Sequence, residues 1–149
     1  MNANPAFAAS AGVSPNGGGL QGTPALLTRG VRAHGSVHGL DSFDAYRVSL
    51  EACRACAPIV AALSSNLRDQ LLRASSSVVL NIAEGFGSSS RGVKRRHYSI
   101  ARGSAIECIA VLDLASVIGV GVGSGEAELA RGLFTRAAMM TAKLVARFR

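Results

Sequence analysis

Four cationic side chains gather within residues 91–96 of the sequence, and His97 and Tyr98 follow at once. Guanidinium and ammonium groups bind phosphate oxygens through charge-assisted hydrogen bonds, and several together favour a polyanionic backbone such as that of RNA or DNA. Because no accompanying pattern reads individual bases, such binding should be electrostatic and sensitive to salt. The alternative is a basic patch that serves only solubility. The predicted nucleic-acid-binding residues are Arg91, Lys94, Arg95 and Arg96.

A second group of polar residues lies on two segments whose other residues are largely apolar. Five of them, between residues 70 and 84, fall within an arc of roughly 80° on a helix. Others surround Gly103. Glycine in a helix interior is about 1 kcal/mol less favourable than alanine, so its presence indicates a position where another helix comes close. Since charges beside such a contact are usually paired, we predict a structural polar network, with a solvated helix face as the alternative. Its predicted members are Arg73, Ser77, Asn81, Glu84, Arg102, Ser104 and Glu107.

Two of these acids, Glu84 and Glu107, raise the alternative of a catalytic carboxylate pair. General acid–base catalysis would also need a pocket and a perturbed pKa, and the sequence offers no nucleophile motif. None of these acids has a His three residues further on, as the di-iron helical bundles do. We therefore expect no enzyme activity, no catalytic residue, no metal and no cofactor.

The three cysteines, Cys53, Cys56 and Cys108, are an odd number in a chain that starts without a signal-peptide pattern. This combination favours a reducing cytoplasm over a disulfide framework. The first two have the spacing of a redox motif, but they lie inside a helical pattern and not at a helix start. We expect them to be core residues, and no second pair of ligands completes a zinc site.

The composition fits one helical domain. The 149 residues are 48% apolar but only 5% aromatic, with no Trp and a net charge of +7. The core must therefore consist of Ala, Leu, Val and Ile. Residues 105–123 are strongly apolar, yet Glu107 and Asp113 interrupt them, so we expect a buried helix and no membrane contact.

The first 40 residues differ from the rest. They are rich in glycine, alanine and proline, contain no acid and show no hydrophobic period. Such a segment cannot bury enough apolar surface to offset its ordering entropy. We expect a disordered tail at 1–40 and a folded domain at 41–149.

Hydrophobic periodicity predicts four helices in that domain. The first spans about 42–63, with a kink or split at Pro58. The second starts at an Asn66 N-cap and ends near Glu84, where Gly85 and Gly87 would supply a left-handed C-cap. The third spans about 92–118, and the fourth follows a glycine-rich turn at 119–125. Short turns between helices predict an antiparallel up-and-down four-helix bundle. Because the second half of helix three is apolar nearly all round, we also expect a subunit interface.

The two middle helices resemble a known family. The run Asn81-Ile-Ala-Glu-Gly85 is followed 16 residues later by Ala101-Arg-Gly-Ser104, with Glu107 beyond it. This combination is similar to the four-helix-bundle proteins encoded by intervening sequences of 23S ribosomal RNA, the S23-like proteins, over about 41–148. The resemblance implies an up-and-down bundle that assembles as a ring, commonly a pentamer, with a basic surface.

A relative of that family also suggests partners. The accessory variability protein of diversity-generating retroelements is such a pentamer and binds nucleic acid and a reverse transcriptase. We therefore expect a non-enzymatic, cytoplasmic homo-oligomer that binds the backbone of RNA or DNA. The alternative is a protein-interaction scaffold, for example a reverse-transcriptase accessory, with no nucleic-acid contact of its own.

Overall fold

Four α-helices contain nearly all the residues that the computed structural model describes, 39–119 and 124–149. A short 3-10 turn, Leu40–Ser42, precedes α1 (Asp44–Ala62), α2 (Ser65–Gly87), α3 (Arg91–Val117) and α4 (Ser124–Arg147). These ranges contain no strand, so the predicted all-α fold is confirmed. The predicted disordered tail lies outside the described residues except for its last two positions, and so does most of the glycine-rich turn.

The helices pack in chain order around a closed cycle. Helix α2 contacts α3, α3 contacts α4, α4 contacts α1, and α1 contacts α2. Side-chain contacts give the directions: Ser77 of α2 meets Ser104 of α3, whereas Asn81, further along α2, meets His97, earlier on α3. Helices α2 and α3 are therefore antiparallel. Helices α3 and α4 are antiparallel as well, because Arg91 at the start of α3 contacts Arg147 at the end of α4, as in an up-and-down bundle.

The core is built from small and branched side chains, as the composition predicts. Helices α1, α3 and α4 contribute alanines with no exposed surface, and Phe134 of α4 is the largest fully buried side chain among the described residues. Small side chains let the helix axes come close together, so the bundle needs few aromatics. The buried alanines with no exposed surface are Ala52, Ala101, Ala105, Ala115, Ala130 and Ala137.

The connection between α1 and α2 differs from the prediction. Helix α1 runs through Pro58 without interruption, so the predicted split of its last turn is wrong. Pro58 is exposed, which leaves the carbonyl that loses its partner on the water-facing side. The N-cap position of α2 is Ser64, not Asn66. Arg68 explains the earlier start, because its guanidinium donates to the carbonyls of Val60 and Leu63, both at 3.0 Å, and fixes the turn.

The end of α2 also differs, and the difference concerns Gly85. Helix α2 continues through Gly85 and Gly87, so the predicted left-handed C-cap is wrong. Among the described residues, positive φ occurs at Gly39 and at Gly119, just after α3. Gly85 is needed for space instead, because a Cβ there would lie 2.6 Å from Cε1 of Tyr98. This contact presses the first turns of α3 against the last turn of α2.

Candidate nucleic-acid interface

The basic cluster, defined as Arg91, Lys94, Arg95 and Arg96, occupies the first two turns of α3. Ser90 is the N-cap, and its hydroxyl accepts a hydrogen bond from the amide of Val93 at 3.5 Å. Cations at a helix N-terminus oppose the helix dipole, a small cost that an interaction elsewhere can offset. The structure supplies that interaction for two of the four.

Lys94 is compensated by the neighbouring helix. Its ammonium donates to the carbonyls of Gly85 and Phe86, both at 3.1 Å, and its side chain is half-buried. These carbonyls belong to the last turn of α2, where the partial charge of the helix dipole is negative. Lys94 therefore caps α2, a role that its position on α3 alone does not reveal.

Arg91 ties α3 to the end of α4. Its guanidinium donates to the carbonyl of Arg147 at 3.3 Å and lies 5.9 Å from the ring centroid of Phe148. The ammonium of Lys94 lies 5.7 Å from the same ring. Both distances suit a cation–π interaction. Phe148 also stacks on Tyr98 at 5.9 Å, so Arg91 and Lys94 border an aromatic cluster at this end of the bundle.

Arg95 and Arg96 differ from these two. Both side chains are exposed, and neither makes a hydrogen bond or ion pair with any residue in 39–119 or 124–149. By contrast, Arg131 on α4 pairs with Asp113 on α3 at 2.6 Å. The basic cluster thus contains two cations engaged in the fold and two that are free, within the described part of the chain, to meet an anion.

Three members of the predicted polar network do meet across α2 and α3. The hydroxyls of Ser77 and Ser104 are 2.8 Å apart. The side-chain amide of Asn81 donates to the carbonyl of Ser77 at 2.9 Å, so its oxygen faces His97 Nδ1 at 3.0 Å. Because that oxygen only accepts, Nδ1 of His97 must carry the proton. The prediction missed His97, although a helical wheel places it on the same face of α3 as Ala101 and Ser104.

The charged members of the predicted network are not joined to it. Arg73 donates to Gln70 of its own helix at 2.9 Å. Glu84, Arg102 and Glu107 are exposed and make no hydrogen bond or ion pair within the described ranges.

Gly103 lacks the close helix contact that the sequence predicted. It is exposed, and a Cβ there would have no atom of residues 39–119 or 124–149 within 4 Å. Within the described residues the predicted contact is therefore wrong, because Gly103 lies on the outer face of α3, opposite the core.

The candidate carboxylate pair is likewise divided between two surface hollows. Glu84 lines a hollow with Gly87 and Val93, whereas Glu107 lines another with Gln70 and Leu114. The two acids therefore do not share a pocket. No three His, Cys, Asp or Glu side chains of residues 39–119 and 124–149 come together as a metal site.

The cysteines lie inside the bundle, as the helical pattern predicts. Cys56 and Cys108 are buried, while Cys53 is half-buried with its sulfur 3.6 Å from the carbonyl oxygen of Ser75. Burial raises the pKa of all three thiols, that of Cys56 to about 12. Thiols of such high pKa stay protonated at neutral pH and are poor nucleophiles.

Exposed large apolar side chains occur on all four helices. Most of them lie on α2 and α3, where Leu80 is 63% exposed, and α4 exposes Leu129 and Met139. No helix in the described ranges is both long and apolar enough to cross a membrane. The exposed apolar residues of α2 and α3 are Leu72, Leu80, Val93, Ile100, Ile106, Leu114 and Val117.

Comparison with known proteins gives one family match. A family model described as 23S rRNA-intervening sequence protein matches residues 43–140, which include α1, α2, α3 and most of α4. None of the curated proteins compared with the chain matches it significantly.

Proposed function

Because this chain belongs to the 23S rRNA-intervening sequence protein family, we propose that it is a non-enzymatic bundle that binds the backbone of RNA or DNA. The binding site is the basic cluster at the start of α3. The observation that carries this proposal is the state of Arg95 and Arg96, which are exposed and unpaired within the described residues. Phosphate oxygens would supply the negative charge that these guanidinium groups lack.

The four cations contribute differently. Arg95 and Arg96 contact phosphates directly. Arg91 and Lys94 keep their hydrogen bonds to α4 and α2 and add to the positive electrostatic potential at this site. The net charge of +7 draws a polyanion toward the protein over a longer range. The interaction is therefore backbone-directed and weakens as salt is added.

Self-association forms the second part of the proposal. Leu80 of α2 and Val93 and Ile100 of α3 are exposed apolar residues, which suit contact with another copy of the chain. We propose a ring, with a pentamer favoured, since a heterologous contact that closes produces a ring and repeats the basic cluster around it. Five chains of 15.3 kDa would give about 77 kDa in a light-scattering measurement, whereas a stable monomer would contradict this part.

The binding site is tested by titrating a labelled RNA hairpin with wild-type protein and two double variants. Arg95→Ala with Arg96→Ala removes the unpaired cations of the basic cluster. Arg136→Ala with Lys143→Ala is the matched control, because both side chains are exposed on α4 and make no ion pair within the described residues. We expect the first double variant to bind much more weakly at low salt and the control to bind nearly as wild type.

Two results would contradict the proposal in different ways. Binding that survives the loss of Arg95 and Arg96 would remove the site assignment. Absence of binding by the wild-type protein at low salt would remove nucleic-acid binding altogether.

A protein-interaction scaffold is the second candidate, and an observation on α4 favours it. Leu129 and Met139 of α4 are 58% and 59% exposed, and they lie on a different helix from the exposed apolar residues of α2 and α3. Such a face suits a protein partner, for example a reverse transcriptase, with the positive charge serving only solubility. This candidate predicts protein that purifies free of nucleic acid at low salt and does not bind the RNA hairpin.

A further inference from the structure

We infer that the phosphate-binding surface continues along the outer face of α3 to Arg102 and Gly103, beyond the basic cluster. This inference rests on the proposed function, because it assigns further residues to the same nucleic-acid contact. It moves Arg102 from the predicted structural network to the binding surface. It also gives Gly103 a role that no contact within the described residues provides.

The position of these residues on α3 is the first argument. Arg95, Arg96, Ser99, Arg102 and Gly103 are all exposed and fall within an arc of roughly 120° on the helix. The core side of the same turns is formed by other residues, such as Ala101 and Ala105. Arg95 and Arg102 are two turns apart, about 10 Å along the helix axis. A nucleic-acid backbone that meets the start of α3 can therefore continue to Arg102 without leaving this face.

The distribution of charge is the second argument. Arg102, like Arg95 and Arg96, makes no ion pair within residues 39–119 and 124–149. The acids of α3, Glu107 and Asp113, both follow Gly103, so none interrupts the face between Arg95 and Gly103. On the adjacent helix, Glu84 lines a hollow with Val93, on the side of α3 that faces α2. The outer face therefore carries three adjacent unpaired positive charges, and the acids further along α3 mark its end.

The absence of a side chain at Gly103 is the third argument. A Cβ at this position would meet no atom of the described residues within 4 Å, so packing among those residues does not require glycine. Glycine inside a helix is nevertheless about 1 kcal/mol less favourable than alanine. Next to Arg102, the missing side chain allows a phosphodiester chain to approach the helix backbone closely. The conjunction of unpaired arginines with this gap points to a nucleic-acid backbone as the occupant.

The first test compares single arginine variants in the hairpin titration. Arg102→Ala should weaken binding up to about eightfold near 0.1 M salt, the effect of losing one phosphate contact and its released counterion. Arg136→Ala is the control, because it removes one exposed arginine from α4. Equal affinities for the two variants, with wild-type binding intact, would overturn the inference and leave the proposed function standing. Failure of the wild-type protein to bind would instead remove the proposed function.

The second test uses two glycines in equivalent surroundings. Gly103 on α3 and Gly132 on α4 are both helical and exposed, and a Cβ at either would meet nothing within 4 Å in the part of the chain that the structure describes. Gly103→Ala and Gly132→Ala should therefore both raise the melting temperature, but only Gly103→Ala should weaken RNA binding. Loss of the assembled state in Gly103→Ala would mean that a second copy of the chain covers this position, and it would overturn the inference. Unchanged RNA affinity in Gly103→Ala would also overturn the role given to this glycine.

Discussion

Replacing Gly85 with alanine should destabilise the bundle, because the new methyl group has no room. Its carbon would lie 2.6 Å from Cε1 of Tyr98 and 2.9 Å from both Cδ1 and Cζ. The ring cannot easily move away, since Tyr98 is only 2% exposed and packs at 5.9 Å against Phe148 and 6.5 Å against Phe43. The first turns of α3 must therefore shift away from α2.

The expected size follows from two opposing effects. Overpacking a close-packed site typically costs about 1–3 kcal/mol. Alanine is about 1 kcal/mol more favourable than glycine inside a helix, which offsets part of that cost. Because the aromatic ring is held on several sides, the net loss in the free energy of unfolding should be about 1–2 kcal/mol.

Urea unfolding followed by circular dichroism measures this change, provided that the m-value stays constant. Gly87→Ala is the matched control two residues further along α2, since a Cβ there would have no atom within 4 Å among the described residues. The control should leave stability unchanged or slightly increased. In a Tyr98→Leu background, Gly85→Ala should cost less. A Gly85→Ala protein as stable as wild type, or an equal cost in both backgrounds, would refute the role assigned to the ring contact.

Three further predictions concern the core, the thiols and the basic cluster. Phe134→Ala should lower the free energy of unfolding by about 3–5 kcal/mol in urea, because its fully buried side chain leaves a cavity. The stability of the fold should fall as pH rises above about 9, since the unfolded thiols then ionise while the pKa of Cys56 is held at about 12 in the folded state. A pH series of urea curves checks this, and a flat profile between about pH 9 and 11 would contradict it. Lys94→Met should destabilise the bundle by about 1–2 kcal/mol in the same assay, because two carbonyls at the end of α2 lose their hydrogen-bond donor. Arg95→Ala should change the free energy of unfolding by less than about 0.5 kcal/mol. Equal effects of these two substitutions would contradict the capping role of Lys94.

The sequence predicts the four helices well because their hydrophobic periodicity is a local property. The stripe through Leu71, Val78 and Ile82, for example, is buried on α2 as its spacing requires. The sequence also predicts the turn at Gly119. The positive φ of 69° at this residue is a conformation that glycine adopts without strain. Each of these features depends only on residues close together in the chain.

Contacts between helices are what the sequence alone does not reveal. Gly85 is a residue type typical of a helix C-cap, but its role depends on the ring of Tyr98, which lies on the next helix. Lys94 belongs to a basic run, yet two carbonyls at the end of α2 determine its function in the fold. Asn66 is a good N-cap by type, but the bonds from Arg68 to the end of α1 set the start of α2.

The same reasoning applies to the candidate interface. The sequence locates the basic cluster, but only the packing separates Arg91 and Lys94, which hold the bundle end together, from Arg95 and Arg96. The packing of the helices also shows that Ser77, Asn81 and Ser104 meet between α2 and α3, whereas Arg102 and Glu107 face outward.

The salt dependence of RNA affinity tests the central claim most directly. For wild-type protein and for Arg95→Ala with Arg96→Ala, the logarithm of the binding constant is plotted against the logarithm of salt concentration. Each phosphate contact contributes a slope of about −0.7 to −0.9, so the double variant should lose about 1.4–1.8 of the wild-type slope per protomer engaged. Equal slopes for the two proteins, or a wild-type affinity that does not change with salt, would contradict binding of a nucleic-acid backbone at the start of α3.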